Sequence, residues 1–219
     1  MRASITKTAI ASMTMLGLLG ACASMGGDKG GLSFFVTSAG PGNGANLGGL
    51  AGADAHCQKL ATAAGAGHRS WRAYLSAQPV PGSAGVNARD RIGKGPWRNA
   101  KGEVVATDVE NLHSGTNNLN KLTSITETGA GINGAGDKPN QHDILTGSQP
   151  NGTFIAGDVN STCANWTSGD AGAAMVGHHD RKGLDESAPA KSWNSSHLTK
   201  GCSADALKST GGAGAYYCF

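Results

Sequence analysis

The sequence predicts an α+β fold with one main helix, several short strands and long loops. Glycine supplies 35 of the 219 residues, while 15% of the residues are charged and 5% are aromatic. This composition is typical of a turn-rich fold rather than a helical bundle. A segment of helical period is followed directly by a segment of period two, so both kinds of element are expected. The length suits one domain together with processing segments.

The first 21 residues have the pattern of an export signal. Arg2 and Lys7 precede an apolar run over 9–19, which is too short to span a bilayer as a mature helix. The run ends in Leu19-Gly20-Ala21-Cys22, which resembles the lipobox of bacterial lipoproteins, where the cysteine is lipidated and becomes the first residue. The resemblance implies a lipid anchor on Cys22, since several acyl chains give stable membrane attachment. The alternative is an ordinary signal peptide with an incidental cysteine.

The residues after Cys22 indicate the destination of the predicted lipoprotein. Ala23, rather than aspartate, follows the cysteine, and by the same resemblance this implies the bacterial outer membrane, on its periplasmic or its cell-surface face. Residues 22–31 are rich in glycine and serine and are expected to form the lipidated cysteine and a flexible tether. The folded domain is then expected over 32–219.

The charge balance excludes an electrostatic argument for nucleic-acid binding. The formal charge is +3, and removal of Arg2 and Lys7 with the signal leaves 16 basic and 15 acidic side chains. A net charge so close to zero provides no basic surface for nucleic acid. We therefore expect no nucleic-acid partner.

Four cysteines remain after Cys22, at positions 57, 163, 202 and 218. An even number in an exported protein predicts two disulfides, with three connectivities open. Nesting is one of them, and it would join the first cysteine to the last and close an inner loop with the other two. No C-x-x-C spacing occurs, which disfavours a zinc ribbon or a thioredoxin-like redox motif.

The elements follow in order from local patterns. Residues 32–37 are β-rich and predict a strand. Ala53, Cys57, Leu60, Ala61 and Ala64 recur at helical spacing and predict the main helix, with glycine at 65 and 67 beyond its end. Alternation over 70–77 predicts a half-buried strand.

Later elements are shorter. Arg89, Asp90 and Arg91 are interpreted as a solvated or locally paired face, and residues 104–106 as a strand. Asp108 is expected to cap a brief helix that ends at Leu112. Residues 115–138 form a polar, glycine-rich irregular stretch. Strands are expected at 142–146, 173–177 and 215–219. No internal repeat is present.

Five features occur in a recognisable order through this domain. They are Gly48-Gly49-Leu50-Ala51-Gly52-Ala53-Asp54-Ala55-His56-Cys57-Gln58, Trp71-Arg72-Ala73-Tyr74-Leu75-Ser76, Gly147-Ser148-Gln149-Pro150-Asn151-Gly152, Cys163-Ala164-Asn165-Trp166, and the late cysteines Cys202 and Cys218. The order resembles the endostatin domain of collagens XV and XVIII and bacterial exported proteins of that type. The resemblance implies a C-type-lectin-like fold over 32–219, with a mixed, mainly antiparallel sheet. It also implies nested disulfides, Cys57 with Cys218 and Cys163 with Cys202.

The same order resembles the sugar-binding C-type lectins. Gln149-Pro150-Asn151 and Trp193-Asn194-Ser195 stand where those lectins have their calcium and sugar loop and their Trp-Asn-Asp motif. The resemblance makes Gln149, Asn151, Asn194 and Ser195 the candidate ligand-binding residues. Ser195 replaces the family's aspartate, and Gln149 replaces the glutamate of many members. Because calcium affinity follows the number of charged ligands, calcium at Gln149, Asn151 and Asn194 is the weaker alternative, and we expect no cofactor.

Catalytic signatures are missing from the sequence. No Gly-x-Ser-x-Gly, His-Glu-x-x-His or phosphate-binding loop occurs. His178-His179-Asp180 invites a metal interpretation, but adjacent strand positions face opposite ways, so a polar loop cluster is favoured. A catalytic pair of His56 and Cys57 is disfavoured because Cys57 is expected to form a disulfide. Trp166 and Trp193 are predicted to be buried, and Trp97 is left open.

These observations predict a non-catalytic binding or adhesion module at the bacterial cell envelope. Its partners would be the membrane, through the lipid anchor, and a protein or glycan ligand. Two alternatives remain open, namely a structural envelope lipoprotein without a defined ligand and a calcium-dependent sugar-binding lectin. A hydrolase of unknown type is more remote.

Overall fold

A mixed five-stranded sheet lies at the centre of the computed structural model, which describes Met1 and residues 31–219. The predicted signal peptide, the predicted lipid on Cys22 and all but the last residue of the tether lie outside the described residues. In chain order the elements are β1 (Phe35–Val36), α1 (Gly49–Ala63), a 3₁₀ turn (Ala88–Asp90), β2 (Trp97–Arg98), β3 (Val104–Ala106), α2 (Val109–Leu112), β4 (Asp143–Leu145), α3 (Cys163–Trp166), β5 (Met175–His178), β6 (His197–Leu198), α4 (Ala204–Lys208) and β7 (Gly212–Cys218).

The strand order of the central sheet is β1-β7-β4-β5-β6. β7 and β4 run parallel, and the other neighbouring pairs are antiparallel. β2 and β3 form a separate antiparallel pair. The fold is therefore α+β with a mixed, mainly antiparallel sheet, which confirms the coarse fold prediction.

The local patterns locate several elements correctly. β3 and α2 fall where the sequence predicts them, and the Asp108 side chain accepts a hydrogen bond from Asn111 N at the start of α2. The strands predicted at 142–146 and 173–177 correspond to β4 and β5. Strand β6 and helix α4 carry too few residues to give a periodic signal, and the sequence did not predict them.

The stretch over 70–77 differs from the half-buried strand that its alternation predicts. Trp71, Ala73 and Leu75 pack into one hydrophobic cluster, while Tyr74 packs into a second. Ser76 is also fully buried. The two faces of this extended segment therefore meet two separate cores, and neither face beyond Arg72 is left to solvent.

Two nested disulfides join distant parts of the domain. Cys57 of α1 is bonded to Cys218 of β7, and Cys163 is bonded to Cys202. Both pairs are those that the endostatin resemblance implies. The outer bond fixes the main helix to the last strand, and the inner bond fixes α3 to the chain just before α4.

The charged stretch at 89–91 is only in part the solvated or locally paired face that is predicted, since Asp90 is exposed and accepts a hydrogen bond from the Asn87 side chain but the Arg91 side chain is mostly buried. The Arg91 side chain is 12% exposed and contacts Asp54, which lies 37 residues earlier on α1. Asp54 Oδ1 also accepts a hydrogen bond from Ala73 N, and Oδ2 accepts one from Arg72. The carboxylate therefore joins α1 to two other segments, which local charge patterning does not reveal.

α3 is a single turn of left-handed backbone. Cys163, Ala164, Asn165 and Trp166 have φ of 48°, 53°, 55° and 68°, a conformation that costs an L-residue roughly 1–2 kcal/mol. Tertiary contacts hold the turn in place. Trp166 is fully buried and donates to Ser76 O, and the Asn165 side chain is hydrogen-bonded to the backbone of Gln78.

The tryptophans are all in the interior. Trp166 and Trp193 are buried as predicted, and Trp97, for which the sequence makes no prediction, is only 4% exposed. Among the described residues no helix has the length and apolar character needed to cross a membrane.

Candidate functional site

The two loops that resemble a lectin site lie side by side. Asn194 is buried, and its amide nitrogen donates to the hydroxyl of Tyr74 at 3.0 Å and to the carbonyls of Gln149 and Pro150 at 3.2 Å. The structure thus brings Asn194 to the Gln-Pro-Asn loop. Asn194 contacts the backbone carbonyls of that loop, not the side chain of Gln149 or Asn151.

The amide groups of this loop are engaged in internal hydrogen bonds. Asn151 Oδ1 accepts from the backbone and the hydroxyl of Thr153, and Asn194 Oδ1 accepts from the Ser192 hydroxyl. The half-buried Ser195 donates its backbone N–H to the same Ser192 hydroxyl. These contacts explain the loop's shape, and they leave calcium binding there as an untested prediction.

A second set of polar side chains converges at the edge of the central sheet. Asp143 begins β4, His178 ends β5 and His197 begins β6. Antiparallel pairing sets Asp143 opposite His178, and Val176 opposite His197. His142 comes just before β4, so four residues spread over the sequence meet in one place. We call His142, Asp143, His178 and His197 the histidine–aspartate cluster.

The cluster is built around one carboxylate oxygen. The Nε2 atoms of His142, His178 and His197 lie 3.2, 3.3 and 3.5 Å from Asp143 Oδ1. Donor atoms of His142, Asp143 and His178 all lie within 4.8 Å of one another. The side chains of these three residues are 8%, 2% and 4% exposed, and that of His197 is 38% exposed.

These close contacts lack hydrogen-bond alignment. Among the described residues, neither oxygen of Asp143 has a hydrogen-bond partner, and His178 Nε2 has none. Buried polar atoms without partners are rare, because each costs roughly 1–3 kcal/mol. The cluster is therefore a place where the protein's own groups do not satisfy one another.

Two of the imidazoles are hydrogen-bonded from outside the cluster, and the Nδ1 atom of the third, His142, lies near a carboxylate without a hydrogen bond to it. His178 Nδ1 lies 2.8 Å from Ala190 O, and His197 Nδ1 lies 3.1 Å from Leu198 O. His142 Nδ1 lies 3.4 Å from a carboxylate oxygen of Asp180. A carbonyl oxygen can only accept, so Nδ1 of His178 and of His197 donates outward and the Nε2 atom of each ring faces the cluster.

Asp143 is ionised at neutral pH. Burial raises the pKa of its carboxyl, but the proximity of His178, His197 and Thr210 together outweighs burial and lowers the pKa to about 2. For Asp180, burial likewise raises the pKa, and contacts with His142 and the backbone N–H groups of Ala135 and Lys182 bring it below its usual range. The cluster therefore combines one buried anion with three neighbouring imidazoles.

The predicted loop cluster at 178–180 is organised differently from the sequence interpretation. His178 belongs to β5 and faces Asp143, whereas His179 turns its Nε2 to Asn133 O at 3.1 Å. All three residues are buried rather than exposed on a loop. His178 and His179 therefore point in different directions, as expected for adjacent strand positions, and do not share one binding point.

A pocket of about 490 Å³ opens over the cluster. We call it the histidine pocket. Its lining includes His142, His178, His197, Leu184, Ala190 and Thr210. Leu184 stands fully exposed on the pocket wall. The pocket thus combines imidazoles with apolar and hydroxyl-bearing walls.

The sequence interpretation missed His142, Asp143 and His197 as site residues. The usable signal was a histidine at each of two predicted strand termini, before 143 and after 177. It was not sufficient, because strand pairing decides which termini meet.

No family model matches the chain, and no curated protein matches it.

Proposed function

We propose that the protein is a non-catalytic binding module at the bacterial cell envelope and that it takes a glycan unit into the histidine pocket. In this proposal lipid on Cys22 holds the domain at the outer membrane. The fold is proposed to be C-type-lectin-like and endostatin-like. The pairing of β1 with β7, the nested disulfides and the contact of Asn194 with the Gln-Pro-Asn loop support that assignment.

The histidine pocket carries the functional proposal. Its volume of about 490 Å³ lies within the range of small-ligand sites. Leu184, Pro189 and Ala190 offer apolar contact, and Asn140, Asp185 and Thr210 offer hydrogen-bonding groups. A sugar ring has an apolar face and a rim of hydroxyls, so it matches both kinds of wall.

A glycan array with full-length protein in detergent tests the proposal. We expect binding to a defined set of glycans and a loss of about tenfold or more in Leu184→Glu, because a charge replaces an apolar contact. Leu122→Glu is the matched control, since Leu122 is also exposed and lies outside the pocket lining. No glycan binding by the wild type, or equal binding by both variants, would count against the proposal.

The same samples separate the rival functions. Mass spectrometry of the glycan after incubation should return it intact, and a cleaved product would favour the hydrolase. Repeating the array with calcium and with a chelator tests the lectin alternative at Gln149, Asn151 and Asn194. Dependence on calcium, with binding insensitive to Leu184→Glu, would move the site to that loop.

A further inference from the structure

We infer that the histidine–aspartate cluster is a binding site for a divalent transition-metal ion of the zinc class, with His142, Asp143 and His178 as its buried ligands and His197 as its most exposed ligand. Imidazole nitrogen combined with carboxylate oxygen is a donor set that suits Zn²⁺ and its first-row neighbours. The site differs from the loop that the lectin resemblance indicates, and it does not require a glycan ligand.

The distances from Asp143 Oδ1 to the three imidazoles match edges of a tetrahedral zinc shell, and donor atoms of His142, Asp143 and His178 lie within 4.8 Å of one another. Zinc bonds of about 2.0–2.2 Å to nitrogen and oxygen give tetrahedral edges of about 3.3–3.6 Å, since an edge is about 1.63 times the bond length. The three distances from Asp143 Oδ1 to imidazole Nε2 atoms are 3.2, 3.3 and 3.5 Å. Donor atoms that share an ion are this close without pointing at one another, which is the misalignment observed.

The outer contacts orient the ligands. Metal-binding histidines commonly donate their second N–H to a carbonyl or a carboxylate, which fixes the tautomer and the ring position. His178 and His197 have carbonyl partners at Nδ1, whereas His142 Nδ1 lies 3.4 Å from an oxygen of Asp180 without hydrogen-bond alignment. All three Nε2 atoms are consequently presented to the same carboxylate oxygen.

A pure ion-pair network explains the cluster less well. Every ion-pair contact of Asp143 among the described residues is to a histidine, and none has hydrogen-bond alignment.

The unequal burial of the ligands gives the site a direction. His197 has a side chain 38% exposed, and the buried three are at most 8% exposed. The ion would therefore be reached from the histidine pocket, on the side of His197. A ligand on that side is the one most readily replaced by water or by an oxygen of a bound molecule.

The test is a metal titration. Full-length protein in detergent is first stripped of metal with a chelator, and the binding of Zn²⁺ alone is then measured by calorimetry. We expect one ion per chain and a higher melting temperature with zinc. In Asp143→Asn and His178→Gln, affinity should fall by more than about 100-fold, beyond the loss seen for an outer partner of a ligand. His197→Ala should lose less, and His68→Ala, an exposed histidine outside the cluster, should match the wild type.

A spectroscopic measurement on the wild type keeps the inference testable if a cluster variant fails to fold. Co²⁺ in the stripped protein should give the intense visible absorption of tetrahedral coordination, and X-ray absorption of the zinc form should report mixed imidazole and carboxylate ligands. Absence of stoichiometric zinc binding, or an affinity unchanged in folded Asp143→Asn and His178→Gln, would overturn the inference. Because Zn²⁺ is measured without a glycan, its failure leaves the glycan proposal standing, and the reverse also holds.

Discussion

The ion pair beneath the main helix should respond very differently to substitutions at its two arginines. Asp54 accepts hydrogen bonds from Arg72 at 2.8 Å, from Arg91 at 2.8 and 2.9 Å, and from Ala73 N at 2.9 Å. The Arg91 side chain is 12% exposed, whereas that of Arg72 is 55% exposed. We predict that Asp54→Asn and Arg91→Met are strongly destabilising and that Arg72→Met is nearly neutral.

The magnitudes follow from burial. Removing one partner of a buried pair costs roughly 3–5 kcal/mol when the other charge is left uncompensated, and Arg91→Met belongs at the lower end because Asp54 keeps its contact with the exposed Arg72. An exposed pair is screened by water and contributes about 0–1 kcal/mol. Asp54→Asn also weakens the bond to Ala73 N, so it belongs at the upper end of the buried range. The double variant Asp54→Asn with Arg91→Met should recover part of the loss, because no buried charge then lacks its partner.

Urea unfolding with both disulfides intact measures these differences as shifts in midpoint at constant slope. Methionine retains the apolar stem of arginine, so Arg72→Met and Arg91→Met form a matched pair. Equal destabilisation by the two substitutions would refute the argument from burial. A double variant less stable than either single variant would refute the claim that the unpaired charge dominates.

Three further predictions use the same unfolding assay. Ala164→Gly should stabilise the protein by about 1 kcal/mol, because Ala164 has a φ of 53° and is exposed. Ala55→Gly in α1 is the control and should destabilise it by about as much. A change in stability of the same sign at both positions would contradict this prediction. Asn194→Leu should cost roughly 2–3 kcal/mol through unpaired acceptors, and a neutral result would show that water replaces the amide. Replacing both cysteines of the inner disulfide by serine should lower the stability by about 4 kcal/mol in the chain-entropy model, since the disulfide joins residues 39 apart in sequence. A loss of stability below about 1 kcal/mol would contradict that model here.

Sequence reasoning reached furthest where a local rule decides the outcome. Asp108 caps α2 because its side chain accepts a hydrogen bond from a backbone N–H three residues later, so four consecutive residues suffice to predict the cap. The short apolar runs before Thr146 and before His178 become β4 and β5 for a similar reason. The burial of Trp166 and Trp193 follows from the scarcity of aromatic residues available to fill a core.

The failures share a physical cause, which is that the deciding partner lies far along the chain. The local pattern predicts Arg91 to be solvated or locally paired, because it contains no sign of its carboxylate partner Asp54, which is on α1. The alternation over 70–77 predicted one solvated face, but a second core covers it. Left-handed backbone at Ala164 has no local signature, because tertiary contacts rather than propensity impose it.

The sequence by itself determined the α+β class and the positions of the main helix and most central strands. Period, capping and composition are local properties, and they suffice for those results. Only the tertiary structure decided that His142, Asp143, His178 and His197 meet at one point, because strand pairing and register bring them together from separate elements. A site built across three strands has no sequence spacing of its own, so its chemistry becomes visible only when the sheet is formed.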